Sequence, residues 1–439
     1  MEAMVNSLIL LVMMVLFLGA GVWIFGALIL ISVISLTVLL GYPLDRVGAI
    51  MVKRLYAASG SWEIACIPLF MWMAEIMFRT DISERLFKGL APLVDKLPGR
   101  LLHTNVAGCA LFAAVSGSST ATTATIGKIT VVELEKRNYD TNLAIGSLAG
   151  AGSFGLMIPP SIVFIIYGVV AEESISKLFI AGVFPGLLLA GLYSGFIMIR
   201  SAVTPQVAPR TGVRYTFRDY LKCLGYLTPI LILIVIVLGS IYTGIATPTE
   251  AAAVGVAAAL VMTVVLRQMT WQVFVESLLG ALKTSCMVCS LLAGAAFLST
   301  TMGFLHVPQD ISAAISKLGL SPYALMIVLG LFYTVLGFFL DGISITVMSL
   351  PICLPLVVAA GFDPIWFGVF LVAMTELAQI TPPVGFNLFV LQGMTGRSIG
   401  YVAWAAAPFF VMMVIGVMII TLFPQIALYL PELLLGKGG

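Results

Sequence analysis

Two short polar interruptions stand inside apolar runs, and each carries residue types that could hold a cation. Ser116-Gly117-Ser118-Ser119-Thr120, followed by Thr122, Thr123 and Thr125, supplies hydroxyl oxygens, and Gly117 frees the backbone between them. Leu340-Asp341-Gly342-Ile343-Ser344, followed by Thr346, sets a carboxylate after the apolar run from Leu325 to Phe339. A carboxylate at membrane depth costs about 2.5–3.5 kcal/mol on insertion scales, so it has a partner or a task. Carbonyls freed at a helix break, with hydroxyl oxygens beside them, suit a hard cation such as Na⁺. The candidate Na⁺ ligands are Ser116, Gly117, Ser118, Ser119, Asp341, Gly342, Ser344 and Thr381. Competing accounts are close helix packing through small residues at the first break and a hydrogen-bonded cap over Gly342 at the second.

Double prolines form the second paired feature. Pro159-Pro160-Ser161 and Thr381-Pro382-Pro383-Val384-Gly385-Phe386-Asn387 cannot continue a helix, because proline lacks the amide hydrogen and clashes with the preceding turn. Interruptions at matching places in two halves point to a transporter's binding site. Pro159, Pro160, Ser161, Pro382, Pro383 and Asn387 are therefore the candidate substrate contacts. Helix N-termini at such breaks would offer positive dipole ends to an anion. Glu376 precedes the second break and aligns with Ser153, an asymmetry able to tune one site. Glu250, after Thr247-Pro248-Thr249, reads as the cap of a helix starting near Pro248.

Other chemistry is sparse. There is no HExxH and no phosphate loop, so no catalytic residues are assigned and this chain cannot be an ATP-driven pump by itself. Cys286 and Cys289 have CxxC spacing, but the chain has only two histidines and no second CxxC. They read as buried free thiols, and neither a cofactor nor a metal beyond Na⁺ is expected. The six tryptophans read as packing or interfacial residues.

The elements that must position these residues are apolar helices. Of 439 residues 61% are hydrophobic and 10% charged, against about 25% charged in a soluble domain, so lipid must cover most of the surface. At roughly 20 residues per crossing there is length for about ten passes. A net charge of +2 gives no sign of a nucleic-acid partner. No basic region precedes the first apolar stretch, so residues 7–40 read as membrane segments rather than a leader. Residues 64–78, interrupted by Pro68, read as a re-entrant or tilted element.

The halves repeat. Ile158-Pro159-Pro160 matches Thr381-Pro382-Pro383 at an offset of 223, and the same offset takes Tyr139-Asp140 to Phe362-Asp363 and Pro185 to Pro408. Asp81-Ile82-Ser83 with Lys88 matches Asp310-Ile311-Ser312 with Lys317 at 229. Basic residues are unequally shared: 17 of the 22 Lys and Arg residues lie at or before Lys222. Matching loops that differ in this way face opposite sides of the membrane, which predicts an inverted repeat, with 79–100 cytoplasmic and 306–322 periplasmic. A parallel duplication with drifted charges is the alternative. The division expected is N-terminal scaffold helices and connector (1–60), first repeat (61–199), cytoplasmic basic connector (200–222), second-repeat scaffold (223–285), second repeat (286–425) and a tail (426–439).

Over residues 20–425 the chain resembles the large membrane subunit of tripartite ATP-independent periplasmic (TRAP) transporters, the dicarboxylate-permease type. The resemblance rests on Ile67-Pro68-Leu69-Phe70, Leu111 to Ser119, Ile158 to Ile162, Leu178 to Gly182 with Phe184-Pro185-Gly186, and Thr247 to Ala253, then on Leu340-Asp341-Gly342, Gly361 to Pro364 and Thr381 to Phe389. It departs at Thr120-Ala121-Thr122-Thr123, where members often carry an alanine and an aspartate, so a charged ligand is missing there. The resemblance implies an all-α polytopic elevator-type carrier with re-entrant hairpins, driven by Na⁺, in the bacterial cytoplasmic (inner) membrane. It implies a separate small subunit of four helices and a periplasmic binding protein that delivers a small organic acid such as sialic acid, a C4-dicarboxylate or a keto acid. A self-sufficient ion-coupled anion carrier is the alternative function.

Overall fold

The computed structural model describes residues 9–10, 12–13, 16–17, 19–209, 215–307, 321–383 and 385–436. These are helical, with no strand among them. The helices are α1 (Ile24–Ile34, continued by a wider turn to Leu39), α2 (Leu44–Ser59), α3 (Cys66–Phe78), α4 (Ile82–Val94), α5 (His103–Ser116), α6 (Ser119–Lys136), α7 (Thr141–Gly152), α8 (Ile162–Ala171) and α9 (Ile175–Val203). After these come α10 (Phe217–Tyr242), α11 (Pro248–Val265), α12 (Trp271–Phe304), α13 (Pro322–Leu336), α14 (Gly342–Ala359), α15 (Pro364–Gln379), α16 (Phe386–Thr395), α17 (Ile399–Leu422) and α18 (Gln425–Leu435). Seven described helical stretches are long and apolar enough to cross a membrane, if α7 and α8 count as one broken span.

The 223-residue offset recurs in the helix boundaries. Helices α6 and α14 each have 18 residues, and their N-caps are the equivalent Ser118 and Asp341. Helices α7 and α15 are capped by the equivalent Asp140 and Asp363. Pro185 and Pro408 lie inside the long helices α9 and α17. Both double prolines break a helix, between α7 and α8 and between α15 and α16.

The two halves run antiparallel. Tyr167, near the end of α8, donates its hydroxyl to Pro364 O at the start of α15, 2.5 Å away. On the opposite face Met394 to Arg397, closing α16, line a pocket with Thr141, the start of α7. Each broken helix thus begins beside the other's end, the reciprocal contact an inverted repeat requires. The upstream match at Asp310-Ile311-Ser312 and Lys317, most of the loop 306–322, Arg210, Arg214 and Val384 lie outside the described residues.

One face gathers the basic connections. Arg79 pairs with Glu276, Arg137 lies over Phe87, Lys96 over Tyr220, and Asp140 N donates to Val207 O. The other face is mainly acidic: Glu63, Glu172 and Glu173 line one pocket with Arg54, and Asp363 lies close enough to Glu173 to affect its charge.

Three expectations change. The connector expected after the first scaffold helices, within residues 1–60, contains a 16-residue helix, α2, because its charges fall on one side of an amphipathic pattern. Residues 62–78, expected as a re-entrant or tilted element, are bent 53° from α2, as a broken span or a re-entrant loop would be, and pack against α12: Trp72 Nε1 donates to Ser277, and Glu75 sits against Gly280. Helix α12 has 34 residues, about 50 Å at 1.5 Å per residue. The division placed between 285 and 286 therefore falls inside one continuous helix, whose first turns extend past the hydrocarbon to Arg79. Glu250 does cap α11, in a reciprocal box with Thr247. The cysteines are free thiols, but Cys286 is exposed and Cys289 half-buried, not core residues, because α12 turns that flank outward.

Candidate transport site

The first break is a tight tip. Gly117 has φ +59°, and a Cβ there would stand 2.9 Å from Pro160 O, so the Ser116–Ser119 tip rests directly on the first double proline. Around it the hydroxyls satisfy one another and the freed carbonyls. Ser116 Oγ and Thr122 Oγ1 are 2.7 Å apart, Thr122 donates to Ser118 O, and Thr123 donates to Ser119 O. Ser118 caps α6, and Ser161 caps α8.

The second tip is built on a carboxylate. Asp341, half-buried, accepts from Ile343 N at 3.2 Å and from the Ser344 hydroxyl. Gly342 lies against Leu156, Thr375 and Gln379, touching both repeats. Thr381 turns back to donate to Leu377 O, closing α15. Pro382 and Pro383 are exposed, whereas their equivalents Pro159 and Pro160 are buried.

Ser119 joins the halves. It is buried, and its Oγ lies 3.1 Å from Gly152 O and 2.9 Å from Glu376 Oε2, and accepts from Asn387 Nδ2 at 3.0 Å. Glu376 Oε1 accepts from Leu156 N at 2.6 Å. The acidic group beside the first break therefore comes from the second repeat. Sequence reasoning noted Glu376 only as an asymmetry with Ser153. The clue available was a carboxylate two turns of chain before the double proline, with no basic residue near it in sequence.

A cavity of about 450 Å³ opens between these tips and the scaffold. Ser116, Gly117, Ser118, Thr120, Ala121, Leu156, Ile162 and Ile343 form its inner wall, and Met71, Glu75, Phe78, Ala281 and Thr284 of α3 and α12 the scaffold wall. Three helices bring N-terminal residues to it, α6, α8 and α14, each with the positive dipole end and with one first-turn amide held by its cap, Ser118, Ser161 or Asp341. No Lys or Arg is among the described residues that line it. Pro159, Pro160, Ser161, Asp341, Ser344, Thr381, Pro382, Pro383 and Asn387 stand behind or beside this wall rather than in it. At the mouth Arg79 is held between Glu276 (2.7 Å) and Glu75 (3.3 Å).

Antiparallel repeats, two helix breaks in each and a cavity at the breaks define a polytopic helical membrane transporter. The family follows from comparison: the model described as "Tripartite ATP-independent periplasmic transporter, DctM component" matches residues 10–426, and the chain belongs to that family. It is 36% identical over 400 residues to a C4-dicarboxylate TRAP transporter large permease protein of Pseudomonas aeruginosa, covering 91% of this chain and 92% of that one. It is 32% identical to an isethionate TRAP transporter permease protein, DctMQ, of Oleidesulfovibrio alaskensis, covering 94% of this chain and 64% of the relative. In fold it is similar to the YdaH transporter of Alcanivorax borkumensis, with a TM-score of 0.60 at 14% identity, covering 88% of this chain and 90% of that one.

Proposed function

We propose that this chain is the large membrane subunit of a Na⁺-coupled TRAP transporter that imports a small organic acid across the bacterial cytoplasmic membrane. The observation that carries the reading is the cavity wall. Three helix N-termini face a space with hydroxyl oxygens and, among the described residues that line it, no basic side chain. An organic anion there needs a counter-charge the side chains do not supply, and a cation held at the adjacent breaks provides it. Each Na⁺ moving inward contributes about 2.3 kcal/mol per 100 mV of membrane potential, before any concentration gradient.

The positive-inside rule makes the basic face cytoplasmic. The cavity reaches Glu75, Phe78 and Thr284 towards that face, so this is an inward-facing state. In an elevator cycle the two tips and the broken helices move as a body against α3, α11 and α12. A periplasmic binding protein delivers the substrate, and a separate four-helix subunit completes the scaffold. The DctMQ relative, matched over 64% of its own length, leaves room for such a segment within one chain.

The test is uptake in proteoliposomes containing this chain, its small subunit and the binding protein under an inward Na⁺ gradient. Saturable uptake of an organic acid that needs all three proteins and Na⁺ is expected. Robust uptake by this chain alone would overturn the three-part reading and favour a self-sufficient anion carrier.

A further inference from the structure

Glu75 is the one charged side chain among the described residues that line the cavity at the tips. It stands on α3, on the wall that the proposed cycle keeps fixed, and it has the sign of the anion proposed as cargo. Two features hold it there. Its carboxyl group lies against Gly280 of α12, where a Cβ would come within 2.7 Å of Oε2 and 3.1 Å of Oε1, so α12 is bare where the carboxylate rests. Arg79, one turn further along α3, draws it towards the mouth, with Nη2 3.3 Å from Glu75 Oε2.

Arg79 is shared unequally. Its Nη1 donates to Glu276 Oε2 of α12 at 2.7 Å, and Gln272 Nε2 donates to the other Glu276 oxygen at 2.8 Å. The pairing with Glu75 is looser: Glu75 Oε2 and Arg79 Nε are both buried, and neither makes a hydrogen bond among the described residues. The tight partner of Arg79 is thus the carboxylate outside the cavity lining, and the carboxylate in the lining is screened without being locked into a pair. A clip between α3 and α12 needs Arg79 and Glu276 alone, so Glu75 is left over for another task. Charges a few ångströms apart and partly shielded from water act on one another well above the level in bulk water. In the proposed cycle the tips leave this wall as they move to the periplasmic side, so Glu75 faces the cargo in one state only. A group that acts on a ligand in one of two states shifts the balance between them. Here it weakens the hold on an anion at the point where the anion must leave.

We propose that Glu75 loosens the bound anion in the inward-facing state, and that Arg79 sets how strongly it does so. The inference rests on the transport reading above and deepens it, by naming the side chains of the fixed wall that set affinity at release.

The test reads the affinity of the inward-facing cavity without the binding protein. Inside-out membrane vesicles carrying this chain and its small subunit expose the cytoplasmic face to the medium. Thr284→Cys, at an exposed position on the cavity wall, is labelled there by an impermeant maleimide in a background lacking Cys286 and Cys289. Succinate, pyruvate and sialic acid are the probes, each titrated in saturating Na⁺, and the readout is the concentration that halves labelling. Glu75→Gln should lower that concentration about threefold, and Arg79→Gln should raise it by a similar factor. The double variant Glu75→Gln/Arg79→Gln keeps the net charge of the trio and should return close to the parent, as should Arg79→Lys. A purely structural clip would shift both single variants in the same direction, with the double variant no better. That pattern, or an unmoved value in Glu75→Gln, overturns the proposal and leaves the transport reading standing. Protection of the parent by none of the three acids overturns both. Should Arg79→Gln fail to insert, Glu75→Gln against Glu75→Asp decides the point, because aspartate keeps the charge and should hold the parent's value.

Discussion

Ser119 and Glu376 are 257 residues apart in the chain, yet Ser119 Oγ and Glu376 Oε2 are 2.9 Å apart. Asn387, 268 residues from Ser119, reaches the same oxygen. Two repeats that pack through apolar surfaces in lipid have little hydrophobic drive to stay in register, because lipid tails are as apolar as leucine. Directional bonds to one buried hydroxyl supply that register, and they place the first tip relative to the second break.

Ser118 and Ser119, adjacent in sequence, should therefore respond differently to the same change. Ser119→Ala removes the atom on which three groups converge, whereas Ser118→Ala removes a long cap to Ala121 N at 3.4 Å. The expected order is a marked loss of uptake and a lowered thermal midpoint for Ser119→Ala, with Ser118→Ala closer to the parent. Equal effects in a parallel thermal-melt and uptake series would contradict the hub role.

Orientation can be checked with one equivalent pair. Lys136 ends α6 and Ala359 ends α14, both exposed and 223 residues apart. In a background lacking the exposed Cys286, Lys136→Cys should react with an impermeant maleimide only from the cytoplasmic side, and Ala359→Cys only from the periplasmic side. Labelling of both from one side would refute the inverted arrangement.

Much of this was legible in the sequence, and for a physical reason. Proline, glycine and helix-capping residues act locally, so Pro159-Pro160, Gly117, Asp140 and Asp363 announce breaks and starts without knowledge of the fold. Glu250 as a cap belongs to the same class. Contacts across the repeat interface are not local. Nothing beside Glu376 in the chain says that Ser119 will meet it, and nothing beside Cys286 says which flank of a 34-residue helix turns outward. Helix α2 was obscured because its charges resemble those of a connector unless their spacing is weighed.

Gly117 should tolerate no side chain. Its φ of +59° costs a non-glycine residue about 1–2 kcal/mol, and a Cβ would stand 2.9 Å from the Pro160 carbonyl, which is backbone and cannot swing away. Gly117→Ala should lower the thermal midpoint and abolish most uptake. Unchanged uptake would show that the tip moves off the double proline without consequence.

Glu173, in the turn between α8 and α9, gives a pH test. Burial and then Asp363 raise its carboxyl above the ordinary 4.5, with Lys177 opposing. The folded state thus holds this proton more tightly than the unfolded chain. Its contribution to stability is complete below 4.5 and is lost as pH rises through the raised value. The thermal midpoint of the parent should fall over that rise, and Glu173→Gln should remove that part of the fall and melt higher than the parent near about pH 7. Superposable pH profiles for the two proteins would exclude the assignment.

Asp341 separates a cap from an ion ligand. It caps α14 through Ile343 N and the Ser344 hydroxyl, and asparagine caps helices about as well as aspartate. Asp341→Asn should therefore insert and melt much like the parent. What it removes is a full negative charge beside a cavity lined by three helix N-termini and, among the described residues, no basic side chain. A cation held near that break loses its strongest attraction, whereas binding-protein docking, a surface event, does not change. The expected result in the reconstituted system is a raised Na⁺ concentration for half-maximal uptake, with the binding protein's apparent affinity unaltered. If the Na⁺ dependence of Asp341→Asn overlays that of the parent, the carboxylate is a cap alone. The coupling ion must then rest on hydroxyls and freed carbonyls such as those of Ser116 to Ser119.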